Sequence, residues 1–223
     1  PPHYFRSQSP RGRVLILDNH DDFGGHAKRN EFHVNGRMHL MNGGTLSIES
    51  PRPYGKVATD LMRQLGVDAK ALDEACTNST LYESLGLHQG VFFDRETFGV
   101  DRLVVRKGDN REATAAYLAQ TPLAENVRKD VLRIEHGNED YMPGLRSAQK
   151  KDRLARISYE HYLLKVAKAD PGVLPYYLHL TDGWWGCGID AIPALDCWGT
   201  WFPGFQGLGL EPGEAPRMGF TPA

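Results

Sequence analysis

The feature that most constrains this chain is a short apolar run near its start, Arg13 to Asp18 (RVLILD), which ends in an acid. Four consecutive apolar residues between charged ones are typical of a parallel strand that is buried on both faces of an α/β sheet. In doubly wound sheets, an acid at the carboxyl end of such a strand opens onto the crevice that binds nucleotides. The run therefore predicts an α/β fold, with Asp18 as an acceptor for the hydroxyls of an adenosine ribose.

The loop after Asp18 contains the pair Gly24-Gly25, followed by His26 and Lys28. Because the glycines have no Cβ, their main-chain N–H groups can approach a ribose and a pyrophosphate, and Lys28 adds a positive charge nearby. The alternative is a plain turn, in which Asp18 caps the next segment and the glycines only reverse the chain. The combination of strand, acid and glycine pair favours the nucleotide interpretation.

A metal site is a further interpretation of this loop, with His20, Asp21 and Asp22 as nitrogen and oxygen ligands. It is disfavoured because adjacent side chains in an extended loop diverge and no second cluster at ligand spacing completes the shell. The GxGxxG turn that normally precedes the ribose-binding acid is not found ahead of Asp18. The sequence therefore predicts no metal site and only the second half of a dinucleotide site.

Local patterns predict most of the remaining elements. In Glu31 to Met41, the Asn35-Gly36 pair favours a type I′ hairpin turn, which needs positive φ at both central residues. Apolar residues at helical spacing from Tyr54 to Leu65 predict a helix that ends at Gly66. A second hairpin is predicted from runs 91–93 and 103–105, and helices from segments 3–9, 112–120, 124–134 and 158–169, the last beginning at a Ser158 N-cap.

Composition and charge restrict the class of partner. With 223 residues, of which 40% are hydrophobic, the chain can bury a core, and the SPRP stretch at 50–53 separates a strand-rich part, 1–52, from a helix-rich part, 53–223. The net charge of -2 provides no basic field for nucleic acid or an anionic membrane. No apolar run is long enough to span a bilayer. Cys76, Cys187 and Cys197 form no CxxC pair and are interpreted as small buried hydrophobes. A small-molecule partner is therefore expected.

The segment LILDNHDDFGGHAKRNEF, Leu15 to Phe32, resembles the FAD-dependent amine oxidoreductases, the family that includes bacterial spermidine dehydrogenases. The resemblance extends through Asn42-Gly43-Gly44-Thr45 and to the later blocks 188–198 and 202–207. It covers essentially the whole chain.

This resemblance implies a partial Rossmann-like FAD-binding domain in 1–52 and a mostly helical substrate or cap domain in 53–223, truncated at both ends. It implies that Asp18 binds the adenosine ribose and that Gly24, Gly25 and His26 approach the ribose and pyrophosphate. Four further residues are implied to lie toward the flavin: Asn42, Gly43, Gly44 and Thr45. The missing glycine loop is expected to leave the isolated chain inactive.

The chemistry that the resemblance implies is hydride transfer from the carbon next to an amine, such as spermidine, to flavin N5. A cationic amine is recognised by carboxylates and aromatic faces. A Gly-rich loop from Thr181 to Trp201 carries such groups, so we expect it to line a substrate channel with Trp184, Trp185, Asp190, Asp196 and Trp198. The alternative is that these tryptophans are simply core residues. No catalytic residue is assigned.

The sequence leaves several points undecided. His161 and His179 make a haem conceivable, but the chain has no CxxCH motif to support one. The electron acceptor is unassigned, and the compartment, periplasmic or cytoplasmic, is undecided. The functional alternatives are a non-catalytic truncated remnant and a flavin oxidoreductase that acts on a substrate other than an amine.

Overall fold

The computed structural model describes residues 2–41, 55–76 and 80–211, without the side chains of Asp73 and Cys76. The chain divides into two compact units, Pro1–Glu49 and Ser50–Ala223. The described residues form a mixed α/β structure whose two small sheets are each a pair of antiparallel strands.

The first unit is built around a β-hairpin. Its elements are α1 (Pro2–Gln8), a 3₁₀ turn (Gly25–Ala27), β1 (Asn30–Val34) and β2 (Arg37–Met41). The two strands pair antiparallel, with Val34 opposite Arg37 beside the turn. Asn35 and Gly36 both have positive φ, 50° and 74°, so the predicted hairpin and its turn residues are confirmed.

The predicted strand at Arg13 to Asp18 is wrong for the described residues. Residues 12–18 lie in irregular backbone. Leu15 and Leu17 leave 82% and 84% of their surface exposed. A parallel strand is stable only between hydrogen-bonded neighbours, and in the described part of this unit the only sheet is the β1–β2 hairpin, which does not include these residues. The buried strand that was expected to carry Asp18 is therefore not formed.

The second unit contains the core. Its first elements are α2 (Lys56–Gln64), α3 (Ala69–Cys76), α4 (Leu81–Ser84), β3 (Gln89–Phe93), α5 (Arg95–Phe98) and β4 (Arg102–Arg106). They are followed by α6 (Arg111–Leu118), α7 (Glu125–His136), α8 (Ser147–Leu154), α9 (Tyr159–His161), a π-helix (Tyr162–Val166), a 3₁₀ turn (Pro171–Val173), α10 (Leu174–Tyr177), α11 (Asp182–Trp185), α12 (Ala194–Gly199) and a 3₁₀ turn (Gln206–Leu208). The second predicted hairpin is confirmed, because β3 pairs with β4 in an antiparallel register.

Two helix termini follow the predicted chemistry. Gly66 follows α2 with a φ of 72°, the left-handed conformation that glycine tolerates without a steric penalty. The Ser158 hydroxyl accepts a hydrogen bond of 3.1 Å from the His161 N–H and caps α9. The helix that begins there changes to a π-helix at Tyr162, which the sequence pattern does not show.

Buried aromatic rings fill the core of the second unit. Tyr162 stacks on Phe205 at 4.6 Å between ring centres, and Tyr159 stacks on Phe205 at 5.7 Å. The Tyr159 hydroxyl donates to the Pro203 carbonyl over 2.8 Å, and the Tyr162 hydroxyl donates to the Gly204 carbonyl. Stacking and hydrogen bonding together hold the 202–205 turn against the helix that carries both tyrosines.

The core also contains a tyrosine hydroxyl without a hydrogen-bond partner among the described residues, that of Tyr177, whose side chain is almost fully buried. An unpaired buried hydroxyl costs about 1 to 3 kcal/mol of desolvation. We therefore expect Tyr177→Phe to leave the free energy of unfolding unchanged or raise it by up to about 1 kcal/mol. Urea unfolding followed by circular dichroism measures this change.

Tyr159→Phe is the matched control, because it removes a hydroxyl that does have a partner, the Pro203 carbonyl. Its loss should lower the free energy of unfolding by about 1 kcal/mol. A Tyr177→Phe variant as destabilised as Tyr159→Phe would mean that the Tyr177 hydroxyl has a partner in solution.

Candidate functional site

The Asp18 carboxylate organises the loop that follows it. Its Oδ1 accepts hydrogen bonds from the His20 backbone N–H, at 3.0 Å, and from the His20 Nδ1, at 2.7 Å. Its Oδ2 accepts a bond of 2.9 Å from the Gly25 N–H, seven residues along the chain. An acid that bonds the N–H two residues on forms an Asx-turn, and the Gly25 bond closes a second, wider turn. Asp18 therefore shapes the loop, as the plain-turn interpretation requires.

The same contacts keep Asp18 ionised. The His20 backbone N–H, the His20 imidazole and the Gly25 N–H all stabilise the carboxylate and lower the pKa of Asp18 to about 2. A carboxylate that is fully charged at neutral pH is a strong acceptor for sugar hydroxyls. The geometry is therefore compatible with the ribose role as well as with the turn role.

A pH titration tests these contacts directly. Because the pKa in the folded loop is depressed, the stabilisation is present above the ordinary aspartate pKa of about 3.9 and is lost as the pH falls toward 2. We expect the ¹³Cγ resonance of Asp18 to titrate with a midpoint at about 2. In a His20→Ala variant, which lacks one of the three donors, the midpoint should move upward. A midpoint near the ordinary value in the unmodified chain would show that the loop is open in solution.

The glycine pair adopts conformations that side chains resist. Gly24 and Gly25 have φ values of 116° and 56°. A Cβ on Gly25 would meet no atom of the described residues within 4 Å, so the space beside its backbone is open. Open space beside the backbone is what the close approach of a ribose or phosphate requires, and the Gly25 N–H itself is already bonded to Asp18.

The other predicted loop residues lie close by. Lys28 forms an ion pair with Asp21, so its positive charge is partly neutralised within the loop. The His26 ring packs edge-on against the His20 ring at 5.9 Å between centres. The four residues expected to face the flavin, Asn42, Gly43, Gly44 and Thr45, lie outside the described residues.

The backbone of the tryptophan-rich segment, Thr181 to Trp201, differs from the prediction. The expected Gly-rich loop is wrong, because the segment contains α11 and α12. Trp184 on α11 is half exposed, whereas Trp185 packs edge-on against Phe202 at 6.3 Å between ring centres. Trp198 on α12 has the Lys151 ammonium 5.7 Å from its ring centre. A cation thus already occupies one face of Trp198.

The two acids chosen from this segment have different environments. Asp190 is exposed, although both of its neighbours in sequence, Ile189 and Ala191, are apolar. Asp196 on α12 is half-buried, and burial raises its pKa. Within the described ranges no side-chain hydrogen bond or ion pair reaches the Asp196 carboxylate. Of the two, Asp196 is the acid that a cationic ligand would stabilise more.

The remaining polar residues are less distinctive as site residues. His161 and His179 are both exposed, and His179 lies 2.7 Å from the Asp182 carboxylate. Burial raises the pKa of the Cys197 thiol to about 12, so this thiol stays protonated at neutral pH. The ranges that the structure describes hold no group of three or more histidine, cysteine or acidic side chains arranged to bind a metal. None of their helices has the length and apolar character needed to cross a bilayer.

Sequence reasoning considered His20 only as a metal ligand and missed its bond to Asp18. The D-x-H spacing was the available signal, because the N–H two residues after an aspartate is the usual donor of an Asx-turn. The contact between the imidazole and Asp18 could be found only from the structure.

In comparisons with known proteins, no family model and no curated protein matches this chain.

Proposed function

We propose that this chain is part of an FAD-dependent amine oxidoreductase that oxidises a polyamine such as spermidine. The observation that carries the proposal is the Asp18 loop, in which an ionised carboxylate lies beside two glycines with positive φ and open space at Gly25. The resemblance of residues 15–32 to the FAD-dependent amine oxidoreductases supplies the identity of the nucleotide.

The Asp18 loop would bind the adenosine part of FAD. Asp18 would accept hydrogen bonds from the ribose, while the backbone at Gly24 and Gly25, which carries no Cβ, would lie close to the ribose and pyrophosphate. His26 and Lys28 follow in the same loop. The proposal includes a Rossmann-like arrangement around this loop, in which a segment other than residues 1–223 supplies the glycine-rich turn.

When bound, the flavin would accept a hydride from the carbon next to the amine. In the second unit, a cationic ligand would stabilise the half-buried Asp196 carboxylate, and the half-exposed ring of Trp184 offers an aromatic face to such a ligand. A cation beside Asp196 would offset the cost of burying that charge, which is the physical reason to assign it the role. We assign no general acid or base.

Flavin binding is measured for two proteins: residues 1–223 alone, and a version extended with its flanking coding sequence. Each protein is incubated with FAD and desalted, and its visible flavin absorbance is recorded. The proposal expects the extended protein to keep flavin and to lose its absorbance when spermidine is added without oxygen. Flavin retained without bleaching by an amine would favour a different substrate, and no flavin in either protein would favour the non-catalytic remnant.

Asp18→Asn is the sharpest variant of the extended protein. It keeps the size of the side chain but removes its charge, and hydrogen bonds to a charged group contribute about 1.5 to 3 kcal/mol each. We expect the Kd for FAD, measured by fluorescence quenching, to rise about tenfold to hundredfold. Asp22→Asn is the matched control, because Asp22 lies in the same loop and, among the described residues, its carboxylate bonds only the adjacent Phe23 N–H. Equal effects of the two variants would assign Asp18 no special role.

A further inference from the structure

We propose that His20 controls access to the Asp18 carboxylate: its imidazole occupies an acceptor position that a ribose diol needs, and it must turn away before the diol binds. This inference rests on the proposed nucleotide function of Asp18. It assigns His20 a role as a positioning residue whose displacement accompanies binding.

The Asp18 carboxylate can accept only a limited number of hydrogen bonds. Two oxygens provide about four lone-pair positions. Three are used within the loop, because Oδ1 accepts from the His20 N–H and from Nδ1 while Oδ2 accepts from the Gly25 N–H. A single position remains, on Oδ2. A ribose donates through both its 2′ and 3′ hydroxyls, so one of the three loop donors must leave.

The imidazole is the donor that can leave at least cost. The two backbone N–H groups define the turn, and breaking either bond would require the main chain to move. The imidazole is a partly exposed side chain that can rotate about its own bonds. Because an ionised carboxylate only accepts, Nδ1 carries the hydrogen in this contact, and rotation frees one lone pair on Oδ1.

The experiment measures binding of adenosine by NMR to the extended protein of the flavin test, with the Gly25 amide as reporter. Adenosine carries the ribose diol and is uncharged at neutral pH. The variant is His20→Phe, which keeps an aromatic ring against His26 but has no donor for Asp18. His20→Ala is a second variant without the ring, and His33→Ala, an exposed histidine of β1, is the matched control.

We expect His20→Phe and His20→Ala to bind adenosine about fivefold more tightly than the unmodified protein at neutral pH, because neither variant has a side-chain donor on Asp18. His33→Ala should bind adenosine as the unmodified protein does. 2′,3′-Dideoxyadenosine, which has no diol, should bind all four proteins alike.

Four results would overturn the inference. Equal adenosine affinity in the unmodified chain and both His20 variants would show that the imidazole does not compete, and weaker binding in both variants would show that it supports the site instead. An equal gain with dideoxyadenosine would show that the diol is not involved. If adenosine shifts the Gly25 amide in none of the proteins, the proposed nucleotide function of Asp18 fails too, which distinguishes that failure from the other three.

Discussion

Replacing Glu135 with leucine should lower the free energy of unfolding by about 3 to 5 kcal/mol, because it leaves a partly buried guanidinium without its counterion. Arg106 Nη1 donates to Glu135 Oε2 over 2.9 Å, and the two side chains are only 19% and 12% exposed. Burial alone would lower the pKa of Arg106, but the charge and hydrogen bond of Glu135, together with the charges of Tyr176 and the exposed Asp109, raise it. The pair is the centre of a polar cluster in the second unit.

Other contacts connect this pair to its surroundings. Arg106 Nη2 donates to the Thr114 hydroxyl over 2.9 Å, and the ring of His136 bonds the same hydroxyl at 2.8 Å. Gln206 donates to the Glu135 carbonyl over 3.0 Å. Removing the carboxylate therefore disturbs the contacts among β4, α6 and α7 together, whereas removal of an exposed acid would not.

Chemical denaturation of a small series measures the effect. Arg106→Met combined with Glu135→Leu should recover most of the stability, because an apolar pair of similar volume replaces the ion pair without leaving a charge behind. Asp152→Ala breaks the exposed pair with Arg156 and should leave the unfolding midpoint unchanged. A single Glu135→Leu variant as stable as Asp152→Ala would show that solvent reaches Arg106 freely.

Substitution of Gly207 by alanine should be comparably severe, with a loss of about 3 kcal/mol or more. A Cβ at this position would overlap the carbonyl group of Glu139 and the backbone of Asn138, neither of which is the end of a flexible side chain. The backbone of the next residue, Leu208, is itself held by a hydrogen bond. The Lys150 ammonium, which is almost fully buried, donates to the Leu208 carbonyl and to Asp140, each over 2.7 Å.

Gly183→Ala is the matched control for this second prediction. A Cβ at Gly183 meets no described atom within 4 Å, and the residue lies in α11, where alanine is the better helix former. Gly183→Ala should therefore leave the thermal midpoint unchanged or raise it, while Gly207→Ala should lower it by many degrees. Similar midpoints for the two variants would mean that the 206–208 turn can move away from Asn138 and Glu139.

The elements that the sequence predicted correctly depend on neighbours along the chain. The Asn35-Gly36 turn, the Gly66 helix terminus and the Ser158 cap each involve contacts within a few residues. The hydrogen bonds and backbone conformations that stabilise them are specified by the local residue types. Asp18 was also identified as the central acid of its loop from the local pattern, and its contacts at His20 and Gly25 lie within seven residues.

The predictions that failed depend on partners far away in the chain. Val14 to Leu17 reads as a buried strand, but a strand forms only where another strand supplies the hydrogen bonds, and the described residues of the first unit offer none to it. Asp190 and Asp196 have similar apolar neighbours in sequence, yet only Asp196 is half-buried. Adjacent residues in sequence do not determine which side chains the folded core covers.

By itself, the sequence determined the turns, the caps and the amphipathic helices, together with the Asp18, Gly24 and Gly25 loop that carries the proposed function. Only the tertiary structure decided that Arg106 pairs with Glu135 across 29 residues, that Gly207 lies against Glu139, and that an imidazole occupies the Asp18 carboxylate. The reason is physical. Local contacts form between residues that are already close along the chain, whereas long-range pairs depend on how the whole core packs.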